Sequence, residues 1–104
     1  MKISLKITKE ATGVLCYYFS RAGEAQPRNR RQRVQLSIMK EVAVKMERYY
    51  ANLQPNKKWR KINFKAYEAD MIEQYLSSFV DVVDDVYSRI IIQKVIAEIN
   101  QQLA

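Results

Sequence analysis

Two short stretches that alternate apolar and polar residues constrain the fold of this chain more than any other feature. In the first, residues 2–7, Ile3, Leu5 and Ile7 share one side, and residues 59–66 alternate in the same way. A period of two is typical of a strand with one buried and one exposed face. We expect the two strands to pair with each other, with their apolar faces on helices and their polar faces in solvent.

The two stretches also resemble each other in sequence. The segment KINFK at 61–65 aligns with KISLK at 2–6, 59 residues earlier, with three identities and two conservative differences. We therefore predict one domain of 104 residues that contains an internal repeat, residues 1–54 and 57–104.

Helical spacing follows the first strand. Thr8 is a candidate N-cap, and Gly13 inside the first helix suggests a close approach by another element. Gly23 and Pro27 end this helix and open an arginine-rich loop that reaches residue 33. A second helix then runs from about Gln32 to 53. Its expected core stripe consists of Val34, Ile38, Val42, Met46, Tyr49 and Leu53.

The apolar pattern after the second strand changes phase. Its period up to residue 90 does not continue into the cluster that ends at Leu103, and the displacement is about 140° at roughly 100° per residue. A break within 81–85, with Asp81 or Asp84 as the new N-cap, explains this shift. The predicted fold class is α+β and mostly helical: a duplicated β-α-α unit (β-α-α-β-α-α) with a small two-stranded sheet packed on four helices.

A two-stranded sheet has marginal stability by itself, and the backbone N–H and C=O groups on its two outer edges need hydrogen-bond partners. Two solutions remain open from the sequence. The helices supply nearly all of the stability, or a second subunit extends the sheet.

The sequence indicates in which cellular compartment the protein is expected. The longest aliphatic run is residues 90–92, so we predict no membrane span, and residues 1–6 do not resemble a secretory signal. The single cysteine, Cys16, lies in an apolar helical stretch and is expected to be a small buried hydrophobe. We predict a cytoplasmic protein.

The residue types that catalysis requires are scarce. The chain has no histidine, one cysteine and two isolated glycines, which argues against common acid–base, nucleophilic and phosphate-loop chemistry. The spacing of Asp81, Asp84 and Asp85 fits no calcium loop. We predict no enzymatic activity, no metal or other cofactor, and no small-molecule substrate.

The charge is strongly uneven along the chain. Residues 1–66 contain 16 Lys/Arg and 4 Asp/Glu, a net +12, whereas residues 67–104 have a net charge of −5. If the strands pair, a flat lysine face with one indole results, which is how single-stranded nucleic acids are held. An arginine loop beside it suits backbone phosphates. The candidate DNA- or RNA-binding residues are Lys2, Lys6, Arg28, Arg30, Arg31, Arg33, Lys57, Lys58, Trp59, Arg60, Lys61 and Lys65.

Each of these features also has a purely structural interpretation. Lysines on edge strands discourage unwanted pairing, Trp59 fits an ordinary core, and the arginines could be solvated or could dock on the aspartates at 81–85. The alternative to a nucleic-acid-binding accessory protein is therefore a homo-oligomeric or partner-binding module. Self-association of acidic on basic surfaces is expected in that case.

Overall fold

The computed structural model describes residues 2–24, 26–52 and 59–104, apart from the side chains of residues 23, 24 and 59. Two strands, four α-helices and two short 3-10 turns follow one another in the predicted β-α-α-β-α-α order. Their bounds are β1 Lys2–Thr8, α1 Lys9–Ser20, a 3-10 turn Arg21–Glu24, α2 Arg30–Ala51, β2 Trp59–Lys65, α3 Ala66–Ser77, a 3-10 turn Val80–Val82 and α4 Val86–Leu103.

The two strands form one antiparallel sheet, as the alternation predicts. Its register opposes Leu5 to Ile62 and Ile3 to Phe64, and all four side chains are buried. Because the side-chain direction alternates along a strand, the polar residues between them occupy the other face. The expected division into an apolar and a polar face is therefore confirmed.

The helices turn back at the end of the molecule away from the sheet, called here the distal end. There the hydroxyl of Tyr75, late in α3, donates to the carbonyl of Tyr18, late in α1, at 2.8 Å. Helices α2 and α4 begin at this end and lead back to the sheet, where Lys45 and Glu98 contact its edges. At 1.5 Å per residue, the 15 residues from Arg30 to Lys45 span roughly 22 Å.

The core lies between the apolar face of the sheet and the four helices. Completely or almost completely buried side chains from each helix include Leu15, Phe19, Met39, Met46, Ile72, Leu76, Ile92 and Ile99. No helix in the described ranges is both long and apolar enough to cross a bilayer.

The predicted break after α3 is confirmed, although the residue that caps α4 is neither Asp81 nor Asp84. The carboxylate of Asp85 accepts from the backbone N–H of Ser88 at 3.1 Å and from its hydroxyl at 2.6 Å. Thr8 does cap α1, since its Oγ1 accepts from the N–H of Ala11 at 3.1 Å.

Helix α2 begins two residues earlier than predicted, and its apolar stripe is only partly buried. Asn29 is the N-cap and accepts from the N–H of Gln32 at 2.9 Å, so residues 30–33 form the first turn rather than a loop. Val42 and Met46 are buried, but Val34 is 55% exposed because the first turns extend beyond the core. The last predicted stripe residue, Leu53, lies outside the described residues.

Candidate nucleic-acid interface

The polar face of the sheet brings four lysines together. The register opposes Lys2 to Lys65 and Lys6 to Lys61, with the Ser4–Asn63 pair between them. All four lysines are exposed, so no helix covers this lysine face. The hydroxyl of Ser4 donates to Oδ1 of Asn63 at 2.6 Å, which ties the strands together at the centre of the face.

The lysines oppose each other at the closer of the two spacings in an antiparallel sheet. The backbone N–H and C=O of Ser4 both bond the Gln102 side chain, so they point away from β2. The Ser4–Asn63 pair is therefore of the non-hydrogen-bonded kind, and so are the lysine pairs two residues away on either side. In such pairs the Cα atoms are about 4.5 Å apart.

This close opposition brings like charges together on the sheet face. Like charges directly opposite each other on a sheet face reduce stability. The eight face positions of the two strands hold four lysines, Ser4, Thr8, Asn63 and Trp59, and no carboxylate. Their arrangement concentrates positive potential over a small flat area, as a phosphate-binding surface requires.

Both outer edges of the sheet carry side-chain hydrogen bonds from the flanking helices. On β1, Gln102 holds the backbone of Ser4 at 2.9 and 2.7 Å, and a Glu98 carboxylate oxygen accepts from the N–H of Lys6 at 3.2 Å. A second subunit could pair with β1 only by displacing these α4 side chains. The structure thus favours the first of the two solutions, in which helices complete the sheet.

The β2 edge is held in a related way, but by a cation. Nζ of Lys45 donates to the carbonyl of Asn63 at 2.6 Å, and it lies 3.7 Å from a carboxylate oxygen of Glu68 and 4.6 Å from the centre of the Phe64 ring. The same carboxylate accepts from the N–H of Lys65 at 2.8 Å. Because Glu68 pairs with Lys45, the two side chains add no net charge beside the lysine face.

Arg60 does not belong to this face. It pairs with Ile7 on the apolar side of the sheet, is half-buried, and donates from Nη1 to the carbonyl of Asn52 at 3.3 Å. Its role here is to bind the carboxyl end of α2. Trp59 pairs with Thr8 at the end of the lysine face, but its side chain, together with Lys57 and Lys58, lies outside the described residues.

The predicted arginines are exposed but lie elsewhere. Arg28 precedes the cap of α2, while Arg30, Arg31 and Arg33 lie in its first turn at the distal end. This position is roughly 22 Å along the helix from Lys45. The lysine face and the arginines are therefore two separate basic surfaces rather than one site.

Sequence reasoning missed a groove that adjoins the lysine face. A cleft of about 320 Å³ between β1 and α4 is lined by Lys6, Tyr87, Ile90 and Lys94, among other residues. Tyr87 is 56% exposed and supplies an aromatic surface, and Lys94 supplies a cation. The sequence pattern of β1 does not predict this groove, because the groove forms only where α4 runs back along the strand.

The surroundings of Cys16 do not favour a reactive thiol. Burial raises the pKa of its thiol, and the carboxylate of Glu47 raises it further. A thiol with a raised pKa stays protonated at neutral pH and is a weak nucleophile.

No protein-family model matches this chain, and neither a curated protein nor a solved structure resembles it closely enough to suggest a family or a function. The role of the lysine face is therefore inferred from its own geometry.

Proposed function

We propose that the protein binds single-stranded nucleic acid on the lysine face, without catalysing a reaction. The observation that carries the proposal is the concentration of four exposed lysines on one face of the sheet, where Lys2 opposes Lys65 and Lys6 opposes Lys61. A polyphosphate backbone would relieve the repulsion within each pair, since each pair can share a phosphate.

The spacing of the lysine pairs suits an extended polyanion. Lys2 and Lys6 are four residues apart on one strand, which corresponds to roughly 14 Å. Two pairs at this distance would contact phosphates of different nucleotides. Tyr87 lines the groove beside the Lys6 end of the face, and its exposed ring offers a surface on which a base can stack. The backbone of Trp59 pairs with Thr8 at the same end, and its indole is the proposed second stacking surface.

This mode of binding tolerates sequence variation. Phosphate contacts position a nucleic acid but carry no sequence information, and stacking accepts every base. We therefore propose an accessory role in which the protein holds single-stranded segments, in the cytoplasm.

We further propose that the halves 1–54 and 57–104 arose by duplication. Helices α1 and α3 each have 12 residues and start 57 positions apart, two fewer than the sequence match suggested. Leu5 and Ile62 are equivalent under this shift and are also paired, as a two-fold axis that passes midway between them requires. The buried positions of the two helices coincide under the same shift: Ala11, Thr12, Leu15 and Phe19 in α1, and Glu68, Ala69, Ile72 and Leu76 in α3.

Fluorescence anisotropy with a labelled single-stranded oligonucleotide over a salt series tests the binding proposal. For single strands, the logarithm of the affinity falls with the logarithm of the salt concentration by about 0.7 for each phosphate contact. Replacing Lys6→Gln and Lys61→Gln together removes one pair and its shared phosphate contact, so it should weaken binding and reduce this slope by roughly 0.7.

The matched control removes two equally exposed charges from α2, Arg33→Gln with Lys40→Gln. It should leave the slope nearly unchanged. Equal losses in both double variants would mean that net charge alone drives binding. No binding of the wild-type protein at low salt and micromolar concentration would rule out the proposal.

A further inference from the structure

The turn before α4 carries an exposed apolar ridge with acidic flanks. Val82 is 77% exposed and Val86, four residues later, is 61% exposed. Asp81 and Asp84 alternate with them and are exposed as well. We call these four residues the valine ridge. Because exposed apolar side chains that lie together can mark a protein–protein contact, the ridge is a candidate interaction surface.

A groove between α2 and α3 has the complementary chemistry. Arg30, Arg31, Val34, Ile38 and Met71 line a cleft of about 640 Å³, which we call the α2–α3 groove. Val34 is 55% exposed, and both arginines are exposed at the rim.

The arginines of the groove also lie where positive charge destabilises a helix. The first turn of α2 contains Arg30, Arg31 and Arg33 and no acidic residue. Positive side chains at the amino end of a helix oppose its dipole, so an external carboxylate there would be stabilising. One acid does line the groove, Asp70, which accepts from Nε2 of Gln74 at 3.0 Å.

The ridge and the groove do not satisfy each other within one molecule. Across the described residues, no hydrogen bond or ion pair joins Asp81 or Asp84 to an arginine of the groove. Both surfaces nevertheless lie at the distal end, because α2 and α4 start there.

We propose that the valine ridge of one copy docks in the α2–α3 groove of a second copy, and that the second copy returns the same contact. Val82 and Val86 enter the apolar floor of the groove, while Asp81 and Asp84 pair with Arg30 and Arg31. Such a two-fold dimer is closed and leaves neither surface open for further addition.

A second copy fits this groove better than nucleic acid does. Phosphates would meet the arginines but would gain nothing from Val34 and Ile38. A dimer formed at the distal end also leaves the lysine face free, so the dimer and the proposed nucleic-acid binding can fail independently.

A charge-reversal experiment separates this dimer from other associations. One variant carries Arg30→Glu and Arg31→Glu, and the other carries Asp81→Lys and Asp84→Lys. Each should be monomeric in sedimentation velocity at a concentration where the wild type is dimeric, with a dissociation constant raised by about tenfold or more. Their equimolar mixture should form a heterodimer, because both of its contacts then join opposite charges.

Two further variants test the apolar part and the specificity. Val82→Ser should weaken the dimer without unfolding the chain, since this side chain makes little contact in the monomer. A control that reverses two exposed charges elsewhere, Lys40→Glu with Lys94→Glu, should sediment as the wild type does. A monomeric wild type at about 100 µM, or a mixture of the reversed variants that stays monomeric, would overturn the proposal.

Discussion

The two halves of the molecule, residues 1–54 and 57–104, have similar arrangements of strands and helices but different net charges, +7 and 0. In each half a seven-residue strand leads directly into a 12-residue helix, and a longer helix then returns to the edge of the other half's strand. At that edge the first half places Lys45 on the carbonyl of Asn63, whereas the second places Glu98 on the N–H of Lys6. The two outer edges of the sheet are thus held by side chains of opposite charge.

The same contrast in charge occurs at the starts of the returning helices. Helix α2 begins with Arg30 and Arg31, whereas α4 follows Asp84 and is capped by Asp85. Opposite charges near the two helix starts fit the proposed pairing between copies. The two strands differ less, because each presents lysines on the open face.

The largest expected effect tests whether the two halves share one core. Leu15 in α1 and Ile72 in α3 are both completely buried. Leu15→Ala and Ile72→Ala should each lower the free energy of unfolding by about 2–5 kcal/mol, because each leaves a cavity. Urea denaturation measures both, with exposed Ser37→Ala as a control that should change little. A large loss for one and almost none for the other would mean that the halves unfold separately.

The next effect compares the two sheet edges. Gln102→Leu removes two hydrogen bonds to the backbone of Ser4, and a loss of about 1–3 kcal/mol is expected. Lys45→Met removes one bond to Asn63 and also the cation beside the largely buried Glu68 carboxylate, so it should cost at least as much. Hydrogen exchange of the Ser4 amide should accelerate in the first variant alone. If neither edge responds, the side chains of α2 and α4 do not complete the sheet.

A smaller effect contrasts the helix caps. Thr8→Ala should destabilise the protein by about 1 kcal/mol at every pH, because a hydroxyl cap does not titrate. Thermal unfolding across a pH series measures this difference, which should stay constant from acid to neutral pH.

Asp85 should behave differently from Thr8. Hydrogen bonds from the Ser88 side chain and backbone lower the pKa of its carboxyl group. A lowered pKa in the folded state adds stability above the ordinary aspartate pKa, and this contribution disappears as the pH falls through the lowered value. Asp85→Ala should therefore reduce the melting temperature at neutral pH, and its difference from the wild type should narrow in acid. A difference that stays constant would show that the cap does not depend on charge.

The smallest effect concerns the contact between α1 and α2. A Cβ on Gly13 would lie 3.4 Å from Cε2 of Tyr50, which is an ordinary contact. Gly13→Ala should therefore raise the free energy of unfolding by about 0.5–1 kcal/mol through its helix propensity. A measured loss would mean that the approach of Tyr50 is tighter than this distance indicates.

Much of the fold follows from periodicity. Alternation with a period of two places Ile3, Leu5, Ile62 and Phe64 on one face whatever lies beneath them, and a phase shift cannot persist within one straight helix. The strand pairing and the break before α4 could therefore be predicted.

Periodicity does not predict which part of an apolar stripe a neighbouring helix or strand covers. Val34 and Val86 fit apolar stripes, yet both are exposed because their helices start beyond the core. Gln102 and Glu98 look like ordinary surface residues in the sequence, and only the return path of α4 reveals their bonds to β1. For the same reason the separation of the arginines from the lysine face could not be predicted.

The most direct test of the proposed function is amide mapping by NMR during titration with an unlabelled single-stranded oligonucleotide. The account predicts shifts concentrated at Lys2, Lys6, Lys61 and Lys65, with little change in α1 or the first turn of α2. Shifts centred on Arg30 and Arg31 with a silent sheet would contradict it.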